Sequence, residues 1–277
     1  MTTIAILSAL PREIALVQDA YPGTVINEGG LDIMHYHNGD NHVFSAFGGM
    51  GTTNIAAAAQ ALLTVASFTS TTPQALLFTG IAGNLNARLG FGDIVLARSL
   101  VYEQTDTAII AQDPPYMESF SSTEKLLNEA AQILRSRGVS EVASNEVFND
   151  SGSESAARAM YTADGIRSVT PDIDNHSEAL NNHRFVIGTV ATSNLFSTDA
   201  ATLTGIISDD NADAEEMEGA AVAHVAAKNG VDVLITRAIS NDCGESYEQL
   251  DGREDDLNVA ARLAAQVTIA VADTLLS

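Results

Sequence analysis

The chain contains little cysteine and little lysine, and both shortages restrict its function. Its 277 residues include a single cysteine, Cys243, and two lysines. One cysteine permits neither an internal disulfide nor a cysteine-rich metal cluster, so we do not expect redox chemistry. The formal net charge of −23 would repel a phosphate backbone, so we expect no nucleic acid partner. The acidity itself indicates solubility rather than an electrostatic function.

Long apolar runs are also absent from the sequence. No segment approaches the roughly 18 contiguous apolar residues of a membrane span. The N-terminus enters an apolar segment at residues 3–7 without a basic region or a cleavage site. We therefore expect a cytoplasmic protein without a membrane partner. Because 45% of the residues are hydrophobic and α/β folds can exceed roughly 200 residues as one unit, we expect a single domain, residues 1–277.

Apolar strand patterns and helix patterns alternate along the chain. The predicted strands are residues 3–9, 31–37, 43–47, 75–79, 93–97, 185–191 and 231–239, and the predicted helices are residues 11–21, 54–66, 123–137, 154–160, 220–228 and 255–275. The pattern is weakest between residues 105 and 183. This alternation predicts an α/β fold, a three-layer α/β/α domain with a central mixed sheet.

Three carboxylates stand together before the helix predicted at residues 220–228. They belong to Glu215, Glu216 and Glu218, and polar strand ends precede and follow them in sequence. One acidic residue would suffice to interact with the helix dipole, at roughly 0.3 to 1 kcal/mol. Since ligands of open α/β sheets bind at the carboxyl ends of strands, three carboxylates indicate a functional site.

Two other motifs are weaker indications of a bound group. Gly49, Met50 and Gly51 form a glycine turn, but the third glycine of a dinucleotide fingerprint is missing, so we expect no organic cofactor. Such a turn can still bring backbone N–H groups close to a ribose or a phosphate. His35 and His37 share one face of a predicted strand without a nearby carboxylate, which favours a solvated surface over a metal site.

Four polar clusters fall at predicted strand ends. They are residues 8–13, residues 48–51, residues 192–196 with 216–218, and Arg237 with residues 240–242. Together they supply carboxylates, an arginine, an amide and an aromatic ring. This set suits proton transfer to a heterocycle, activation of water and hydrogen bonding to vicinal hydroxyls. No histidine lies at a comparable loop, so a Ser-His-Asp triad is not expected.

The same segments resemble the purine and uridine nucleoside phosphorylase superfamily, and within it the methylthioadenosine/adenosylhomocysteine nucleosidases. The resemblance extends from Ile4 to Ser240 and is carried by residues 4–13, 48–51, 79–83 with 92–95, and 216–218 followed by 237–240. It implies that a purine ring packs against Phe196 and that Met217 and Glu218 hold the ribose.

The resemblance also implies roles for residues at the sugar and at the attacking water. Glu13 would activate the water, and Arg237 would help to hold the ribose and that water. The matching segments add the substrate-binding candidates Glu216, Ala82, Gly83, Gly49 and Met50. Relatives usually close the pocket with a neighbouring subunit, so a homodimer is expected by analogy.

One position departs from the family pattern. The aspartate that protonates the leaving purine should follow Ser240, but this position is Asn241, and Asp242 comes one residue later. An amide cannot deliver a proton as a carboxylic acid can. Either Asp242 takes the acid role, or Asn241 hydrogen-bonds to the N7 and O6 edge of a 6-oxopurine.

The nucleophile also has to be chosen. Phosphorylases of the superfamily bind phosphate with arginines, one of them just before the glycine turn at Gly80, where this chain has Phe78 and Thr79. Arg12 and Arg88 are possible substitutes, but water is favoured because a phosphate dianion calls for guanidinium partners. The sequence thus predicts a purine nucleosidase that hydrolyses the N-glycosidic bond. The alternatives are a phosphorylase and a non-catalytic nucleoside-binding protein.

Overall fold

A computed structural model of the protein describes residues 1–146, 161–162, 165–166, 177–246, 248, 250 and 252–277. The strands in this part of the chain are β1 (Thr2–Ser8), β2 (Thr24–Glu28), β3 (Leu31–Asn38), β4 (Asn41–Phe47), β5 (Ala75–Asn84), β6 (Ile94–Tyr102), β7 (Phe120–Ser121), β8 (Ser140–Glu141), β9 (Tyr161–Thr162), β10 (Gly165–Ile166), β11 (Arg184–Thr192), β12 (Ala212–Glu216) and β13 (Asp232–Asp242). The helices are α1 (Pro11–Ala20), α2 (Thr52–Thr69), α3 (Thr107–Ile110), α4 (Glu124–Ser136), α5 (Ala200–Asp210), α6 (Gly219–Asn229) and α7 (Glu254–Leu276).

The central sheet is mixed. Its strand order is β12-β11-β6-β13-β5-β1-β4-β3-β2, with the short strands β7 and β8 attached to β6 and β11. Strands β4, β1, β5 and β13 run parallel to one another, whereas β13 and β6 are antiparallel. Strand β12 also pairs with β5, so β5, β13, β6, β11 and β12 close into a ring. The carboxyl ends of β5, β12 and β13, three strands of this ring, lie close to the carboxyl end of β1.

Helices cover both faces of the sheet. One hydrophobic cluster joins α2 and α6 to one face, and a second joins α1, α4 and α7 to the other. Strand β1 contributes alternately to the two clusters, through Ala5 and Leu7 on one face and Ile4 and Ile6 on the other. This burial on both faces explains the continuous apolar run at the start of the chain. The predicted three-layer fold with a mixed sheet is therefore confirmed.

Helix α7 is long and apolar enough to cross a membrane by length and composition alone. Its most apolar window has a hydropathy of 1.5, although a count of contiguous apolar residues does not detect it. Within the fold, 56% of that window is buried, and the helix packs against α1, α4, β5 and β13. The core of the domain thus accounts for its apolar composition.

Several elements differ from the sequence-based expectations. Strands β2 and β12 and helix α5 were not predicted, and the helix expected at residues 154–160 lies outside the described residues. Helix α5 has recognisable caps, because Asp199 accepts a hydrogen bond from the Thr202 N–H at 2.8 Å and Asn211 adopts a left-handed conformation. Strand β12 is rich in acidic residues, which are uncommon in strands. This composition did not predict a strand. The strand forms because its carboxylates accept hydrogen bonds inside the protein.

Candidate active site

A cavity of about 210 Å³ lies where the carboxyl ends of β1, β5, β12 and β13 meet. Eight of the predicted site residues line it. These are Glu13, Met50, Ala82, Gly83, Glu216, Met217, Glu218 and Asn241. A smaller cavity of about 50 Å³ adjoins it and is lined by Phe196. The predicted residues Gly49, Arg237 and Asp242 line neither cavity.

Glu13 is held rigidly at the start of α1. Its Oε2 accepts hydrogen bonds from the N–H groups of Ala9 and Leu10, at 3.0 and 2.8 Å, and its Oε1 accepts from the Ile81 N–H at 3.0 Å. The side chain is almost fully buried. Burial raises its pKa, although Arg237 and the three N–H donors oppose the shift. A fixed carboxylate with a raised pKa is suited to act as a general base.

Arg237 is completely buried beneath the cavity and is surrounded by acidic residues. Its Nη2 forms an ion pair with Glu216 and lies 3.4 Å from Oε2 of Glu218. Its guanidinium carbon lies 4.4 Å from the centre of the Phe78 ring, a cation–π contact. Burial alone would lower the pKa of Arg237, but Glu216, Glu218 and Glu13 together raise it. The guanidinium therefore carries a permanent charge that holds these carboxylates together.

Glu216 is occupied by partners within the protein. Its Oε1 accepts from the Thr192 hydroxyl at 2.5 Å. Its Oε2 accepts from the N–H groups of Glu218 and Gly219, at 2.9 and 2.7 Å, and from Arg237. Although Glu216 lines the cavity, these bonds use its carboxylate to position Arg237 and the first residues of α6.

Glu218 presents a carboxylate to the cavity. Its Oε1 accepts from the Gly51 N–H at 2.8 Å, which links α6 to the glycine turn before α2. Burial and the neighbouring Glu216 raise the pKa of Glu218 to about 7, whereas Arg237 lowers it. The glycine turn thus serves to orient Glu218, and Met50 is the residue of the turn that lines the cavity.

Gly80 explains how Arg237 and Glu13 can lie so close together. A Cβ at this position would lie 2.0 Å from Arg237 Nη1 and 2.7 Å from Glu13 Oε1. Any side chain there would displace one of the two charged groups. Gly80, in the matching segment 79–83, is therefore required by the packing of the site and not by a turn.

The structure separates Asn241 from Asp242. Both lie on β13, with Asn241 paired to Gly83 and Asp242 paired to Asn84. Asn241 faces the two cavities, where its amide bonds to Ser240 and to the backbone carbonyl of Asp242. Asp242 lines a third cavity, which Asn241 also lines, and its Oδ1 accepts from the Asn84 amide at 3.0 Å. Burial raises the pKa of Asp242. The geometry brings Asn241, and not Asp242, to the main cavity.

The two possible phosphate-binding arginines are also separated. Arg12 lines the cavity, its Nη2 lies 3.9 Å from Glu254 Oε1, and its buried Nη1 has no hydrogen-bond partner among the described residues. Arg88 lies instead beside Asn86 and the buried Asp213. Within the described part of the chain, no group of three or more His, Cys, Asp or Glu residues could hold a metal ion.

Part of the cavity wall was not predicted from the sequence. Leu250, Glu254 and Leu257 line it from the end of the chain, beyond the segments that carried the resemblance. Glu215 was noted within the acidic segment but was not assigned to the site, yet it lines both cavities. Had β12 been recognised as a strand, the alternation of its side chains would have placed Glu215 and Glu216 on opposite faces and predicted different surroundings for the two carboxylates.

The chain is an α/β protein with a partly closed mixed sheet and a carboxylate-lined cavity at its strand ends, where open α/β sheets bind their ligands. The sequence model of the Phosphorylase superfamily matches residues 3–276, and the chain belongs to that superfamily. The family predicted from the sequence is thus confirmed.

Two characterised relatives match the chain almost from end to end. A 5'-methylthioadenosine/S-adenosylhomocysteine nucleosidase of Treponema pallidum is 29% identical over 273 residues, which cover 99% of this chain and 93% of the relative. An aminodeoxyfutalosine nucleosidase of Campylobacter jejuni is 28% identical, with 99% and 100% covered. Among solved structures, a mutant of the Helicobacter pylori MTAN with 5'-methylthioadenosine in its active site has a TM-score of 0.72 at 19% identity, with 99% of both chains covered. That likeness confirms the fold.

Proposed function

We propose that this protein is a purine nucleosidase, an N-glycosyl hydrolase that cleaves the bond between the base and the sugar of a purine nucleoside. The observation that carries the proposal is that Glu13 and Glu218 line one cavity, with Arg237 buried beneath them, next to a smaller cavity with an aromatic ring and an amide. The names of both relatives, each a nucleosidase that covers the whole chain, support it.

The sugar side of the reaction follows from the fixed carboxylates. Glu218 accepts hydrogen bonds from ribose hydroxyls with the carboxylate that Gly51 and Arg237 orient. Glu13 accepts a proton from water as the water attacks C1′, and its three backbone donors keep it in place. As the bond to the base breaks, positive charge develops on the sugar, and the nearby carboxylates stabilise it.

The base side involves Phe196 and Asn241. Phe196 supplies a ring to stack on the purine, and its exposed position at the cavity mouth leaves room for such a partner. The Asn241 amide can both donate and accept, so it can hydrogen-bond to a 6-oxopurine or to a 6-aminopurine. The site is therefore compatible with both kinds of purine.

Charge around the cavity favours water over phosphate as the nucleophile. A phosphate dianion beside the sugar would face Glu13, Glu216 and Glu218, while Arg237 is already engaged by Glu216 and Glu218. Among the described residues, Arg12 is the one Lys or Arg that lines the cavity. Since phosphate binding calls for paired guanidinium groups, hydrolysis is the better fit.

We extend the proposal to assembly and location. Apolar side chains at the cavity mouth are exposed, with Met50 at 47%, Leu195 at 61% and Phe196 at 44%. A second copy of the chain that covers them would complete the pocket, so we propose a homodimer, to be checked by light scattering. We also propose a cytoplasmic location for the enzyme.

A substrate panel tests the function. The purified protein is given methylthioadenosine, adenosine, inosine and futalosine, each with and without phosphate. We expect release of free purine from at least one substrate at a rate that phosphate does not change. A rate that depends on phosphate would support the phosphorylase, and tight binding without turnover would support a nucleoside-binding protein.

A further inference from the structure

Glu215 and Asn241 flank the same point of the sheet. Gly83 on β5 pairs with Glu215 of β12 on one side and with Asn241 of β13 on the other. Neighbouring strands lie about 4.8 Å apart, so the two residues stand on either side of a residue without a side chain. Both line the main cavity and the smaller cavity beside Phe196. A Cβ at Gly83 would lie 2.5 Å from the Cys243 sulfur and 3.6 Å from the Asn241 amide nitrogen. A flat ring in the adjoining cavities would therefore have Glu215 toward one edge and Asn241 toward the other.

The Glu215 carboxyl is held by neutral donors and not by a cation. The Ser197 hydroxyl donates to its Oε1 at 2.5 Å, and the Cys243 thiol is a second hydrogen-bonding neighbour. Among the described residues, Glu215 has no ion-pair partner. Burial raises the pKa of Glu215, and the adjacent Glu216 adds to the shift. The hydrogen bonds from Ser197 and Cys243 oppose this shift but burial outweighs them, so Glu215 releases its proton less readily than an exposed glutamate does.

The other acidic groups of the site are committed elsewhere. Glu13 accepts from three N–H groups on the water side, and Glu216 is filled by internal donors. Glu218 is bound to Gly51 and Arg237. Asp242 lines a different cavity. Glu254 lines the main cavity but not the smaller one, and it lies beside Arg12. Since Asn241 is an amide, Glu215 is the carboxyl group that remains beside the position of the base.

We propose that Glu215 is the general acid that protonates the departing purine, a role that the family pattern would place at the position of Asn241. This inference rests on the proposed nucleosidase function. The bond between N9 and C1′ breaks, its electron pair goes to the purine, and the Glu215 proton passes to N7. Water forms the new C1′–O bond and gives a proton to Glu13. Exchange with solvent then returns Glu13 to the carboxylate and Glu215 to the acid, so the net reaction consumes one water.

The test compares two leaving groups with the substitution Glu215→Gln. The amide keeps the size of the side chain and can still accept from Ser197, but it has no acidic proton. We expect kcat for a purine nucleoside to fall by about a hundredfold or more, the usual range of acid catalysis. A 4-nitrophenyl riboside, whose leaving group departs without protonation, should lose less than about threefold. The matched control is Glu103→Gln, which changes a nearby half-buried carboxyl outside both cavities.

A second variant moves the carboxyl group across the base. In Glu215→Gln combined with Asn241→Asp, the acid returns to β13, and we expect at least about tenfold recovery over Glu215→Gln alone. Full purine turnover by Glu215→Gln, or equal losses on the two substrates, would overturn the proposal while wild-type turnover leaves the nucleosidase assignment intact. Failure of the wild type on every nucleoside would instead overturn the proposed function itself.

Discussion

Glu218→Gln removes a charge from the sugar side of the cavity while keeping the shape of the side chain. In the structure, Glu218 accepts from the Gly51 N–H at 2.8 Å and lies 3.4 Å from Arg237 Nη2. A glutamine can retain the hydrogen bond from the Gly51 N–H through its amide oxygen. Its NH₂ group would then lie beside Nη2 of Arg237, so that two donors would face each other. The variant therefore loses a charged hydrogen bond to the sugar with little change in packing.

The expected loss follows from the strength of such a bond. A hydrogen bond to a charged group contributes about 1.5 to 3 kcal/mol, which corresponds to roughly a 10-fold to 150-fold decrease in kcat/KM. The assay is steady-state release of purine, measured in parallel on a ribonucleoside and its 2′-deoxy and 3′-deoxy analogues. If Glu218 binds a ribose hydroxyl, the variant should lose less on the analogue without that hydroxyl. Unchanged turnover, or equal losses on all three substrates, would refute the assignment of Glu218 to the sugar.

Four further predictions address the remaining groups. Glu13→Gln should lower kcat by about a hundredfold or more while purine binding, measured by calorimetry, persists, since a general base contributes about 10² to 10⁴; loss of binding together with turnover would argue for a structural role. Asn241→Asp should raise activity on 6-aminopurine relative to 6-oxopurine nucleosides, and an unchanged ratio in the substrate panel would place Asn241 away from the base. Arg12→Met should raise KM for nucleosides with an anionic 5′ substituent more than KM for adenosine, because Arg12 has a buried, unpaired Nη1 on the cavity wall. Burial raises the pKa of Glu218 to about 7 and that of Asp213 to about 6. The stability linked to these two groups is therefore present in acid and is lost as the pH rises through those values. The Tm of Glu218→Gln should rise relative to that of the wild type between about pH 5 and 8, and a constant difference in Tm would contradict the raised pKa of Glu218.

Much of the fold was accessible from the sequence because its central strands are buried on both faces. Strands β1, β5, β11 and β13 each contain an apolar run. The caps of helices such as α6, with Gly230 in a left-handed conformation, are local signals. The family prediction and the hydrolytic activity agree with the family match and with both relatives. The individual site roles remain predictions.

The sequence could not give features that depend on contacts between distant segments. The sequence of strand β12 is that of a polar segment. Only its contacts with distant segments show that Glu216 accepts hydrogen bonds from internal donors and that Glu215 lines the smaller cavity beside Phe196. The choice between Asn241 and Asp242 likewise depends on how β13 pairs with β5 after an irregularity in register between Ile239 and Asn241. A local pattern carries no information about such pairing.

The central claim is that the cavity directs water, and not phosphate, to the sugar of a purine nucleoside. The most direct test is ³¹P NMR of the reaction in phosphate buffer, with free purine quantified in the same sample. The account predicts that purine accumulates with free reducing sugar while the phosphate signal stays unchanged. Formation of a sugar 1-phosphate in proportion to the released purine would contradict it.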